Sequence, residues 1–327
     1  MKSYGIGIDI GGTKISMVIG TAKGRILARR EIPTLKHRHV RACVQKLIQN
    51  LQLLMRETGL SKNQLRGIGI GIPGAVNRAK GIVPKSPHLQ GWKNFPLRRV
   101  LTRHFGLPVE MTNDANAAVV GEKIFGAGRG KQHVIYITVS TGIGGGLIAH
   151  DRLIEGKSFV AGEIGHMTIV SGGNRCPCGQ SGCLEAYASG TAIAADVRRK
   201  IRQGQGKSLV RRLAGKQVTA REIGLAARGG DRLALETFQN AGHYLGIGIG
   251  SLLNLLNPEI VILGGGVFKS APRAHWQAMM RSAKKHAWPE AYRAARIVRT
   301  SLGDSVGNLG ALALVFMPAK SNDLARS

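Results

Sequence analysis

The chain has 327 residues, past the roughly 250–300 at which one hydrophobic core stops growing, so length alone predicts two lobes. Its residues are 43% hydrophobic, ample for a core, and only 5% aromatic. Lys and Arg number 47 against 18 Asp and Glu, a formal +29 that draws anions, with local clusters at Lys36–Arg41, Arg198–Arg202 and Arg273–Lys285. No aromatic residues interleave with these clusters as an RNA platform requires, which excludes a specific nucleic-acid partner and leaves the charge as a surface bias.

The opening residues MKSYGIGIDIGGTK enter a strand-like run directly, with no cleavable apolar segment. Tyr4–Ile10 and Lys14–Ile19 read as two strands around Asp9-Ile10-Gly11-Gly12-Thr13-Lys14. A hairpin of this kind exposes backbone amides and the Thr13 hydroxyl to a phosphate, and Asp9 is placed to hold Mg²⁺ through water. Val40–Met55 has the apolar period of a core-facing helix, with Cys43 inside it. Gly67–Gly71 is a glycine-rich strand ending in Ile72-Pro73-Gly74-Ala75, and Gly81–Gly91 is a loop. Pro96–Phe105 reads as helix, Val109–Thr112 as strand and Ala115–Phe125 as helix. Asp114 therefore stands where a strand gives way to a helix. It is either the cap of that helix or a catalytic base at a strand end.

A second strand–turn–strand unit follows: Val134–Val139, the glycine-rich Ser140–Gly146, then Leu147–Ala149. It repeats the plan of the first hairpin, so duplicated halves facing one nucleotide are expected. Gly162–Gly190 then gathers three of the four cysteines. Cys176, Cys178 and Cys183 are spaced C-x-C-x4-C, with His166 ten residues upstream. Three thiolates and an imidazole complete a tetrahedral Zn²⁺ set, and a closed set holds a loop rather than performing chemistry. The weaker reading is a disulfide with a spare thiol. A metal here would fix Glu163 and Glu185 in place, as acceptors suited to sugar hydroxyls. Cysteines at metal spacing also favour a reducing compartment, hence the cytoplasm.

Thr191–Ile201 reads as a helix, and Thr219-Ala220-Arg221-Glu222 as a capping box opening another. Asp231 starts a long helix to about Leu256, stopped by Asn257-Pro258. The apolar run Leu245–Leu263 is too broken by Gly, Asn and Pro to span a membrane, so no membrane partner is expected. Glu259–Leu263 is a buried strand ending in Gly264-Gly265-Gly266, a close approach to adenine or ribose or simply a tight turn. Ile297–Thr300 and Asp304–Val315 supply a last strand and an apolar helix with Gly307 and Gly310.

DIGGTK (Asp9–Lys14), GIPGAV (Gly71–Val76), NDANAA (Asn113–Ala118), STGIGGG (Ser140–Gly146), GEIGH (Gly162–His166), CPCGQSGCLEAYASG (Cys176–Gly190) and LGGG (Leu263–Gly266) together resemble the ROK family of sugar kinases, in its zinc-containing bacterial glucokinase branch. The resemblance runs in order along essentially the whole chain. It implies the α/β actin-like (ribonuclease-H-like) ATPase fold, two lobes with a central cleft: a small lobe of 1–115 completed by a C-terminal helix in 303–327, and a large lobe of 116–302 carrying the zinc loop 162–190. It implies ATP-dependent transfer of the γ-phosphate to the 6-hydroxyl of a hexose, with Asp114 as general base. Gly74, Asn113, Asp114, Glu163, His166 and Glu185 would bind the sugar. Gly11, Gly12, Thr13, Lys14, Thr141, Gly142, Gly264, Gly265 and Gly266 would surround ATP, with Asp9 near its Mg²⁺.

LEAYASG, with SPHLQGW at Ser86–Trp92, favours glucose; N-acetylglucosamine or another hexose is the alternative. A homodimer or homotetramer is implied. The family's transcriptional regulators carry a helix-turn-helix ahead of the first hairpin, for which Asp9 leaves no room. Its polyphosphate users generally lack the zinc cysteines, so ATP is the expected donor although a basic rim would suit a polyanion.

Overall fold

The structure, a computed structural model, describes residues 3–34, 40–85, 89, 91–213 and 217–317. Most of the Lys36–Arg41 cluster, most of Ser86–Trp92 and residues 318–327 lie outside the described residues. The strands are β1 (Tyr4–Ile10), β2 (Lys14–Thr21), β3 (Ile26–Pro33), β4 (Leu65–Ile72), β5 (Ala75–Asn77), β6 (Ile82–Lys85), β7 (Val109–Asn113), β8 (Val134–Val139), β9 (Ile143–Ala149), β10 (Arg152–Leu153), β11 (Ile260–Gly264) and β12 (Arg296–Arg299). The α-helices are α1 (Val40–Thr58), α2 (Leu97–Phe105), α3 (Asp114–Phe125), α4 (Glu185–Ala188), α5 (Gly190–Arg202), α6 (Lys207–Arg212), α7 (Ala220–Arg228), α8 (Arg232–Leu256), α9 (Val267–Ser270), α10 (Arg273–His286), α11 (Pro289–Ala294) and α12 (Val306–Leu314). Among the described residues no helix is long and apolar enough to cross a membrane.

The chain divides into two compact units: Met1–Gly130 with Glu155–Val160 and Ser301–Ser327, and Lys131–Ile154 with Ala161–Thr300. Each is built on a five-stranded sheet, in the orders β3-β2-β1-β4-β7 and β10-β9-β8-β11-β12. In both, an antiparallel meander supplies three strands and two parallel strands follow on the same side. This is the actin-like, ribonuclease-H-like plan, present twice.

The Gly-Ile alternation of β1 and β4 explains the layering of the first unit. Ile6, Ile8, Ile68 and Ile70 are fully buried and join Leu47 and Leu51 of α1 and Leu101 of α2 in one core. The intervening glycines admit α12 on the other side. A Cβ on Gly7 would lie 2.7 Å from Asn308 O, and one on Gly69 would overlap Ala311 O. No other residue lets that helix lie so close to the sheet.

The division falls after Gly130, whereas the sequence reading ended the small lobe at residue 115. Helix α3 stays with the first unit because it packs on α12: a Cβ on Gly310 would stand 2.5 Å from Ala117 O. Glu155–Val160 joins the same unit through Glu155, which is 6% exposed and accepts from Arg78 Nη1 at 3.0 Å and Thr112 Oγ1 at 3.3 Å. The second unit packs its core residues around α8, including Phe238, Leu245 and Ile249 with Val261 and Leu263 of β11.

Candidate functional site

In the first unit the parallel register aligns Asp9 of β1 with Gly71 of β4, and Gly71 with Thr112 of β7. Asp9, the Ile72-Pro73-Gly74 turn and Asn113-Asp114 thus all emerge at the C-terminal edge of one parallel set, where open α/β sheets bind ligands. Asn113 caps α3: its Oδ1 accepts from Ala115 N at 2.8 Å and Asn116 N at 3.4 Å. Its Nδ2 donates to Gly74 O at 3.2 Å, pinning the turn after β4 to the end of β7. Asp114 begins the helix proper, its Oδ1 accepting from Ala115 N at 2.9 Å.

Burial pushes the Asp9 carboxyl up to about 6, and the negative charge of Asp114 adds to the rise against Lys14 and Arg29. The two carboxylates are therefore within electrostatic reach of each other. The β1–β2 turn is closed by Gly11 N donating to Lys14 O at 2.9 Å, and Thr34 holds it from outside with Oγ1 donating to Gly11 O at 2.7 Å. Gly12 and Thr13 form the tip of this turn, and Thr13 is exposed. Lys14, expected near ATP, pairs with Glu31 at 2.8 Å, and that bond holds the Glu31 carboxyl below its usual range.

In the second unit the β8–β9 turn is closed by Ser140 N donating to Gly142 O at 2.9 Å. Glu185, expected to bind sugar hydroxyls, accepts from Ile143 N through Oε2 at 2.7 Å, so this carboxylate also braces the glycine turn. Two bonds invisible in the sequence dock the start of α5 on the same turn: Gly190 N to Ser140 O at 2.7 Å and Thr191 N to Thr141 O at 3.2 Å. The legible signal was Ser189, which caps α5 by accepting from Ala192 N at 3.1 Å. A cavity of about 800 Å³ opens beside this turn, with Thr141, Thr191 and Gly266 in its wall. Gly264 and Gly265 are not in that wall. Gly265, at φ 101°, packs on β8, where a Cβ would overlap Val139 O, and a Cβ on Gly264 would meet the Tyr136 ring.

Cys176, Cys178, Cys183 and His166 converge so that their ligand atoms all lie within 4.8 Å of one another. The Sγ atoms of Cys178 and Cys183 are 3.7 Å apart, as are Cys176 Sγ and His166 Nδ1. Bonds of about 2.3 Å at tetrahedral angles place two sulfurs about 3.8 Å apart, so the four groups fit a zinc-sized ion. The separation is far too long for a disulfide, and all four cysteines are free thiols. Burial pushes the Cys183 thiol up to about 12 and raises Cys176 as well, whereas the Gln180 N–H lowers Cys178, so a bound cation is what would hold all three as thiolates. The loop reverses at Gly179 and Gly182, at φ 97° and 84°, and a Cβ on Gly182 would overlap Val170 O. His166 turns Nδ1 to the sulfurs and Nε2 towards Glu163, 4.0 Å from its Oε2. The ring thus joins the cysteine cluster to an exposed carboxylate.

The ROK family profile matches residues 5–317. The chain is 36% identical over 315 residues to a glucokinase of Thermotoga maritima, covering 95% of this chain and 96% of that one. It is 32% identical over 316 residues to a putative xylose repressor of Caldicellulosiruptor, covering 95% of this chain and 77% of that protein. Among solved structures it is similar to a ROK family glucokinase from Streptomyces griseus in complex with glucose and AMPPNP, with TM-score 0.77, 32% identity and coverage of 95% and 98%.

Proposed function

The chain belongs to the ROK family, and we propose that it is an ATP-dependent hexose kinase that phosphorylates the 6-hydroxyl of glucose, with Asp114 as general base. One observation carries the catalytic assignment. Asn113 takes the capping role, so Asp114 is not needed as the cap at this strand end. Phosphoryl transfer asks little covalent chemistry of a protein: it needs positioning, charge neutralisation and one group to orient the nucleophile. Asp114 accepts the proton of the sugar hydroxyl as that oxygen bonds to the γ-phosphorus; the bond from phosphorus to the β,γ-bridging oxygen breaks, and ADP leaves.

Asn113, Glu163, His166 and Glu185 hold the sugar hydroxyls, with Gly74 fixed beside Asn113 by their hydrogen bond. The Gly11–Lys14 turn, the Thr141-Gly142 turn and Gly266 receive the nucleotide; the packing of Gly264 and Gly265 on β8 makes them supports of that wall. Mg²⁺ arrives with ATP and neutralises phosphate charge, and Asp9 is the carboxylate available to its water shell. Zinc is the ion we assign to the cysteine–histidine cluster, where it serves to hold Glu163 and Glu185 still. Three cysteines placed for a metal and none in a disulfide accord with a reducing cytoplasm.

Glucose is preferred to an N-acetylated hexose on the strength of the glucokinase relatives. The Asp114→Asn variant tests the catalytic assignment. Glucose affinity, measured by calorimetry, should stay within a few-fold of the parent while kcat falls about a thousandfold or more. A variant retaining a tenth of parental kcat would remove Asp114 from the role.

A further inference from the structure

The cavity beside the β8–β9 turn holds more positive charge than an adenosine needs. Its wall includes Arg198, Arg221, Arg228 and Lys269 and not one carboxylate. Two of the guanidinium groups are fixed by main-chain carbonyls rather than by acids: Arg198 Nη2 donates to Val218 O at 2.7 Å, and Arg228 Nη2 donates to Lys269 O. The Arg221 side chain makes no hydrogen bond or ion pair among the described residues. Arg29, Arg30, Arg78, Arg199, Arg232 and Arg293 each pair with an Asp or Glu, whereas other arginines such as Arg56, Arg103 and Arg152 show no such pair among the described residues. What sets Arg198, Arg221 and Arg228 apart is that they line one concavity. Four like charges around one concavity repel one another and concentrate anions there.

The rest of the wall has a different character. Ala194, Val218, Ala220, Leu225 and Val267 present an apolar surface suited to a flat base. Apolar wall and cationic rim together describe a site for a base attached to phosphate. The 5′-phosphates of ATP are already assigned to the glycine turns, which leaves the Arg221 side chain without an anion to bind.

We propose that the rim is a second anion subsite, in which Arg221, with Arg198, Arg228 and Lys269, binds a phosphate group other than the 5′ chain of the nucleotide. The ligand chemistry is phosphate. It comes either from a nucleotide phosphorylated on its ribose or from free inorganic polyphosphate lying beside the base. A ribose-phosphorylated nucleotide of this class competes with ATP for the cavity, so its accumulation would slow hexose phosphorylation. This rests on reading the cavity as the nucleotide site.

Calorimetry on the full-length protein compares AMP, adenosine 3′,5′-bisphosphate and inorganic tripolyphosphate, at about 50 mM salt and again at about 500 mM, where exposed charges are screened. The parent should bind the bisphosphate at least tenfold more tightly than AMP at low salt, with the advantage largely lost at high salt. Arg221→Gln, at an exposed position, should remove most of that advantage and leave the Kd for AMP alone. If tripolyphosphate alone shows Arg221-dependent binding, the subsite stands and its source is free polyphosphate. If tripolyphosphate binds in this way while neither AMP nor the bisphosphate binds, the subsite stands and the nucleotide reading of the cavity fails. Normal AMP binding, with no advantage for either polyanion or an advantage that Arg221→Gln leaves intact, overturns the subsite while leaving the kinase reading untouched.

Discussion

Asp9 is held where burial and charge oppose each other. Its carboxyl is pushed from 3.8 to about 6, so the folded chain keeps a proton there that the unfolded chain releases. The stability this proton contributes is fully present below about pH 4 and is lost as the pH rises through 6. Asp9→Asn should therefore raise the melting temperature at pH 7.5 and leave it nearly unchanged at pH 4, as read by scanning calorimetry. The same titration should lower the parent's kcat/KM for ATP below pH 6, since a neutral Asp9 no longer attracts the nucleotide's cation. A flat profile from pH 5 to 8 would separate Asp9 from that role.

At the cysteine cluster, Cys178→Ser should reduce bound zinc from about one ion per chain to near none and raise the KM for glucose. Unchanged metal content would remove Cys178 from the ligand set. That cluster was legible in the sequence because all four ligands fall within one short loop. Position alone left Asp114 open between cap and base; the Asn113 side chain, which accepts from Ala115 N and Asn116 N, favours the base that we propose. Nor could spacing reveal that Glu185 bonds to Ile143 N, since the two are 42 residues apart.

Between β7 and the segment Glu155–Val160 lies a small ionic network. Arg78 bridges Glu155 at 3.0 Å and Glu110 at 2.9 Å, while Thr112, two residues before Asp114, donates to Glu155. Breaking a buried pair strands a charge, so Glu155→Leu should cost about 2–4 kcal/mol in urea unfolding, with Glu110 moderating the loss. The double variant Arg78→Met with Glu155→Leu should recover most of it. If the single variant were as stable as the parent, the network would contribute nothing to this strand end.

Elements with a clear period were found in the sequence at nearly their observed bounds. The long helix α8 begins at its Asp231 cap, which accepts from Ala234 N, and ends at Asn257 in the left-handed region. Strand β3 was missed because its outer residues are polar and half of it is exposed. Helix α10 was read only as a basic cluster: its buried His275, Ala278, Met279 and Ala283 are interrupted by Arg and Lys. Glu155–Val160 could not be assigned to its unit from spacing, since the bonds of Glu155 with Arg78 and Thr112 join residues far apart in the chain.

For the molecule as a whole, the sequence repeat proved to be topological. Two hairpins with glycine turns open two sheets of the same strand plan, and each turn is braced by a different device: Thr34 in the first unit, Glu185 in the second. The net charge of +29 follows no such plan and bears on solubility and encounter with anions rather than on the fold. What the charge does not decide, substrate chemistry will. Turnover of glucose, mannose, fructose, N-acetylglucosamine and N-acetylmannosamine, each with ATP-Mg²⁺ and each with polyphosphate, is the most direct measurement. A kcat/KM for glucose with ATP at least tenfold above every other pair is the expected result. Preference for an N-acetylated sugar, or for polyphosphate over ATP, would contradict it.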